Sequence, residues 1–220
     1  MARNARAEYL VTRFGEYEGP DDWETASAKL VKMGARAVPS LIRALADDEY
    51  GWCAASVLHD IGLPAARPAT RALIKYASDP KANAQLWSAR ALGVLGKLDV
   101  LVELANQKRT RDAGIAGLVA ARPESYPHLG RLLDRARARK DRAFLRHVGK
   151  ELDPGSASYA LAAAQFELVV EATRSPHVAL RKDAVCALGD LGSKRARAAL
   201  EQLLVDRSAE VRRLARVLLD

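Results

Sequence analysis

The chain has 220 residues, of which 49% are apolar and only 5% aromatic, and its formal net charge is +8. It contains no apolar run of 18 residues, which excludes a membrane-spanning helix, and its first residues lack the apolar core of a secretory leader. Cys53 and Cys186 share no CxxC spacing and are expected to be buried, reduced thiols of a cytoplasmic protein.

Taken in order, residues 3–14 predict a capping helix, with Tyr9, Leu10 and Phe14 as its apolar stripe. Gly19-Pro20 breaks the chain, and Asp21 or Asp22 is placed to cap the next helix. A hexapeptide then recurs: Lys29-Leu-Val-Lys-Met-Gly34, Val57-Leu-His-Asp-Ile-Gly62, Ala91-Leu-Gly-Val-Leu-Gly96 and Ala187-Leu-Gly-Asp-Leu-Gly192. Leucine stands four residues before each glycine (Leu30, Leu58, Leu92, Leu188) and a small residue eight before it (Ala26, Ala54, Ser88, Ala184). The glycine predicts a helix stop in the left-handed conformation. The small residue predicts a close helix–helix contact. Gly117 to Arg122 reads as a fifth copy that has lost its terminal glycine.

A second helix follows each terminator. Val38-Pro39 and Tyr126-Pro127 open two of them, because proline in the first turn removes no helical hydrogen bond. Pro68 and Ala196 open two more, and Ser78-Asp79-Pro80 marks a turn with an N-cap. The stretch 134–157 is the least regular; a helix there ends at Asp153-Pro154-Gly155-Ser156, and another runs from Tyr159 to about Arg174. Val211 to Leu219 supplies the last helix. A period near 30 residues of helix, turn and helix is the pattern of an α-solenoid. The expectation is an all-α, right-handed solenoid of about six to seven antiparallel helix pairs. It forms one domain over 1–220, with 1–20 as the cap and 22–220 as the repeats.

This pattern resembles HEAT repeats, in the short variety first described in the phycobilisome lyases. In that family the second helix opens with an aliphatic-arginine pair after an aspartate-containing turn. Asp206-Arg-Ser-Ala-Glu-Val-Arg212 shows it here, and Ser175-Pro-His-Val-Ala-Leu-Arg181 shows it without the aspartate. The resemblance covers roughly residues 22–220 and speaks to fold, not to chemistry.

Three groups of residues are candidates for binding. Trp23, Trp52 and Trp87 precede their terminators by 11, 10 and 9 residues, near the starts of three consecutive inner helices. The shifting offset turns each by about 100° relative to the last, so the three are not expected to point alike. They are either core or inter-repeat filler or an aromatic patch in the concave groove, which Tyr50 and Tyr17 would extend. Arg111, Arg181 and Arg212 take one repeat position; the family resemblance implies that this arginine braces the preceding turn. The alternative is a basic ladder on the concave face. Residues 131–150 hold eight basic residues against Asp134 and Asp141. Within that stretch Arg135, Arg137, Arg139, Lys140, Arg142, Arg146 and Lys150 form a basic patch suited to nucleic acid or an acidic partner, or else a solvated surface.

Catalytic patterns are absent. His59, His128, His147 and His177 show no metal-motif spacing, and the side chains of the adjacent pair His59-Asp60 are expected to diverge. Gly93 and Gly189 read as helix-end glycines, not as parts of a phosphate loop. No cofactor or metal is expected. The reading is a non-catalytic scaffold that binds a partner protein on its concave face. A nucleic-acid-binding protein, similar to the HEAT-like alkylpurine DNA glycosylases in its ingredients, is the alternative. A bilin lyase-like protein is the remote one.

Overall fold

A computed structural model describes residues 5–15, 22–152 and 165–220. These residues form helices and turns with no strand among them, and they divide into two compact units, Met1–Ala121 and Arg122–Asp220. The expected helix end at Asp153-Pro154-Gly155-Ser156, the start of the next helix at Tyr159, and the Gly19-Pro20 break with Asp21 lie outside the described residues.

The first unit holds α1 (Ala5–Val11), α2 (Trp23–Met33), α3 (Val38–Ala44), α4 (Gly51–Ile61), α5 (Thr70–Ala77), α6 (Gln85–Val94), α7 (Leu98–Asn106) and α8 (Arg111–Ala120). Each even-numbered helix packs on the next, α2 on α4, α4 on α6 and α6 on α8, while α3, α5 and α7 close hairpins against them. The second unit holds α9 (Tyr126–Ala138), α10 (Arg142–Glu151), α11 (Phe166–Ala172), α12 (Val178–Leu191), α13 (Lys194–Gln202) and α14 (Ala209–Leu219). There α12 packs on α14 with α13 against both, α9 packs on α10, and α11 packs on α12. Serial stacking of α2, α4, α6 and α8, and of α12 on α14, is the packing of an α-solenoid.

The repeat residues do what their spacing predicts. Leu30, Leu58, Leu92 and Leu188 are buried, and so are Ala26, Ala54, Ser88 and Ala184. Gly34, Gly62, Gly96 and Gly192 all have positive φ, between 55° and 67°. Only some of them are left-handed helical. Gly192 is (ψ 4°), but Gly34 and Gly62 have ψ of −129° and −162°, a region that essentially only glycine enters. Asp22, not Asp21, is the cap of α2, accepting from the Thr25 N–H at 2.8 Å.

Several local expectations need correction. Tyr9 is 51% exposed, with Arg13 over its ring; Ala7 joins Leu10 and Phe14 in the core instead. Asp79 accepts from the Lys81 N–H in a turn and caps no helix, since α6 begins only at Gln85. The helix placed at Ala196 begins two residues earlier, where the Ser193 hydroxyl accepts from the Ala196 N–H at 3.1 Å. Gly93 and Gly189 lie in the last turns of α6 and α12, and packing adds a reason for them: a methyl group there would overlap the Gly117 carbonyl oxygen or press on Leu218.

Glycines stand at close helix contacts in the first unit. A Cβ on Gly117 would strike Leu101 and the Ala89 carbonyl, and one on Gly114 would strike the Ala105 backbone. Here α8 touches α6 and α7 almost backbone to backbone. Loops are tied one repeat apart as well: the Asn83 amide donates to the Asp48 and Glu49 carbonyls, at 3.1 and 2.6 Å. Two substitutions separate close packing from helix propensity. Gly117→Ala is expected to destabilise by about 1–3 kcal/mol through overpacking. Gly149→Ala in α10, where a methyl would meet nothing within 4 Å, is expected to stabilise by about 0.5–1 kcal/mol. Urea midpoints of the two variants measure this, and equal shifts of one sign would contradict it.

Candidate partner-binding faces

In the first unit the three tryptophans lie at or near the starts of α2, α4 and α6, and all three are half-buried. The Trp23 and Trp52 rings meet at 5.8 Å with a 57° tilt. The one-residue offset therefore does not separate them, because the indoles are long enough to bridge adjacent stacked helices. Trp87 does diverge. Its ring meets the edge of His59 at 5.9 Å and lies under the Arg90 guanidinium at 4.9 Å. His59 is seven residues after Trp52 on α4, about 10 Å along the helix, so α4 carries an aromatic contact toward each neighbour. His59 Nδ1 also lies 2.8 Å from Asp60 Oδ1, so these adjacent side chains converge where they were expected to part. The Tyr50 hydroxyl donates to Glu49, and Tyr17 lies outside the described residues.

The arginine set separates. Arg181 and Arg212 are each the fourth residue of their helices, whereas Arg111 is the first residue of α8. Arg181 is buried at 2% exposure. Its Nε and Nη2 fork onto both oxygens of Asp206, at 2.9 and 3.0 Å, and its Nη1 donates to the Ser175 carbonyl six residues back. Arg212 donates to the Asp206 carbonyl, also six residues back, at 2.7 Å. In the first unit the hydroxyl of Thr110, the residue before α8, spans the same six residues to the Leu104 carbonyl. Arg181 is thus a turn brace and presents no charge to a groove, as the fit of a guanidinium fork to a carboxylate favours.

Burial alone pushes the Asp206 carboxyl upward. The hydrogen bonds from Arg181 and the Ser208 N–H, with the charges of Arg181 and Arg207, outweigh it and hold the group below the usual carboxylate range. A second buried cluster was not legible beforehand. Asp183, fully buried in α12, accepts from Arg122 and from the Tyr126 hydroxyl, the latter at 2.7 Å. Arg122 is the residue that replaces the missing terminal glycine. His177, also buried, lies 2.9 Å from Asp134 through Nε2; burial lowers its pKa despite that carboxylate.

The seven cations of the basic patch are all exposed, along α9, the turn after it, and α10. A further cationic site escaped the sequence because its members come from separate elements. Arg6, Lys29, Lys32 and Arg36 line, with Met33, an open cleft of about 840 Å³.

Chemistry is sparse. Burial pushes both Cys53 and Cys186 thiols up to about 11, which keeps them protonated and poorly nucleophilic at neutral pH. Cys53 is buried as expected, but Cys186 is only half-buried. Among the described residues no three His, Cys, Asp or Glu side chains are grouped to hold a metal ion, and no helix is long and apolar enough to cross a membrane.

Stacked helix pairs braced at their turns define an all-helical repeat protein. Residues 180–206, which include Arg181 and Asp206, match the PBS lyase HEAT-like repeat family. No curated protein matches the chain in sequence. Among solved structures the chain is similar to an engineered protein, at 18% identity over 97% of this chain and 94% of that one, with a TM-score of 0.38. It is also similar to a designed armadillo repeat protein in complex with the peptide (KR)4, at 14% identity over 97% and 98%, with a TM-score of 0.34. The fold assignment rests on the chain's own helices and the 180–206 match.

The Arg181–Asp206 brace gives a prediction with a sign. A carboxylate whose folded pKa is depressed contributes stability above its unfolded pKa of about 3.9, and loses that contribution as pH falls through the folded value. Arg181→Ala, which strands a buried carboxylate, should cost about 3–5 kcal/mol at neutral pH. Asp206→Asn should also lower stability at neutral pH, and should flatten its loss below about pH 4. Urea midpoints over a pH series read both; an acid slope equal to that of the wild type would contradict the assignment.

Proposed function

We propose that the chain is a non-catalytic scaffold that holds a partner protein against the face formed by α2, α4 and α6. The observation that carries this reading is the placement of Trp23, Trp52 and Trp87, which are half-buried on consecutive stacked helices. Large aromatic side chains part-way out of a core are anchors in waiting: they are already fixed by their neighbours, so a partner loses little entropy in ordering them. Arg90, held over Trp87, adds a cation beside an aromatic surface, the pair of residue types most enriched at binding hot spots. Repeat stacking supplies the rest, since successive helices extend one face in steps.

A library of displayed linear peptides selected on the whole protein tests this. Peptides so obtained should lose about 30-fold or more in affinity on Trp52→Ala, the loss expected of a hot spot of about 2 kcal/mol. Trp87→Ala should weaken the same peptides, and Arg174→Ala should leave them unchanged. Binders indifferent to both tryptophans would overturn the reading, and so would a failure to select any.

A further inference from the structure

We infer that the α9–α10 hairpin is a separate, sequence-independent binding surface for the phosphate backbone of duplex nucleic acid. The surface lies in the second unit and is independent of the tryptophan face. Arg142, Arg146 and Lys150 stand four residues apart on α10, all exposed. Four residues advance a helix by about 6 Å, close to the roughly 7 Å covered by two phosphates along one strand. Arg137, Arg139 and Lys140 continue the charge through the end of α9 and the turn. None of these six takes part in an ion pair among the described residues.

The two acids within the patch are outnumbered, eight basic residues to two over 131–150. Asp134 is bonded to His177, and Asp141 accepts from the Phe144 N–H as the cap of α10.

Two of the cations sit where folding alone would not place them. Arg142 is the first residue of α10, at the positive end of the helix dipole, where a cation is unfavourable. Lys140 has φ 55° and is the one non-glycine residue with positive φ among those described. A solvated surface chosen for stability would put an acid at the first position and a glycine or asparagine at the second.

Phosphate is favoured over an acidic protein by what the surface lacks. No large apolar side chain is exposed anywhere on α9 or α10, whereas protein interfaces have an apolar centre and nucleic-acid interfaces are polar and strongly positive. Exposed aromatics are missing from both helices as well, with Tyr126 and Phe144 buried. Nothing there can stack on unpaired bases, which favours a duplex over a single strand.

The test is fluorescence anisotropy of a labelled mixed-sequence DNA duplex across a salt series with the full chain. Four to six phosphate contacts give a slope of log affinity against log salt of about −3.6 to −5.4. The triple variant Arg142→Ala/Arg146→Ala/Lys150→Ala should lower its magnitude by about 2.7. Arg142→Lys/Arg146→Lys should keep the slope, and Trp52→Ala should leave DNA binding untouched. Should the triple variant fold poorly, Arg142→Gln alone suffices: it should raise the melting midpoint while weakening binding. Four results would each overturn the proposal: no binding at the lowest salt, an unchanged slope in the triple variant, equal affinity for polyglutamate of matched charge, or a preference for single-stranded DNA.

Discussion

Everything in the first unit depends on how closely its helices approach, and the approach is set by residues with almost no side chain. Gly93, Gly114 and Gly117 stand at the contacts of α8 with α6 and α7, and none has room for a methyl group. Ala26, Ala54 and Ser88 play the milder form of the same part, fully buried between stacked helices. Fully buried leucines such as Leu30, Leu58, Leu73, Leu92 and Leu101 supply the apolar bulk of this core. The small residues let the helices come close enough for backbone and alanine contacts to add dispersion to it. Glycine inside a helix costs conformational entropy, so its use at these points shows that close packing outweighs propensity there.

The second unit solves the same problem with charge. Arg181 and Asp206 are each largely buried and joined by a fork, and Asp183 lies fully buried between Arg122 and Tyr126. Such pairs add little net stability over an apolar equivalent, but removing one member strands the other. Their geometry fixes where a helix begins relative to the next turn, as the shared bonds to carbonyls six residues back show. Brace and close contact are two ways of setting one quantity, the offset between neighbouring helix pairs.

The architecture was legible because it is periodic. Leu30, Leu58, Leu92 and Leu188 recur with their glycines, and a buried stripe at helical spacing is the strongest signal a sequence carries. What escaped has a common cause: it is formed between segments far apart in the chain. Asp183 reads as a polar residue in a helix until Arg122, 61 residues earlier, is beside it. The cleft of Arg6, Lys29, Lys32 and Arg36 draws on α1, α2 and the residues just after α2, which are unremarkable singly. The tryptophans show the limit from the other side. Their offsets imply that the three do not all point alike, but rotation about a helix axis says nothing of how far an indole reaches, and Trp23 meets Trp52 regardless. His59 and Asp60 were misjudged for the same reason, as their side chains swing together beyond the backbone.

The claim at the centre is that neighbouring repeats lie side by side and so bring Trp23 of α2 against Trp52 of α4. Two indoles at 5.8 Å couple their electronic transitions, and far-ultraviolet circular dichroism records that coupling as a paired positive and negative band. The account predicts that Trp23→Phe and Trp52→Phe each abolish the same pair of bands, that the double variant adds nothing further, and that Trp87→Phe leaves them in place. Independent, additive losses from Trp23 and Trp52 would contradict it.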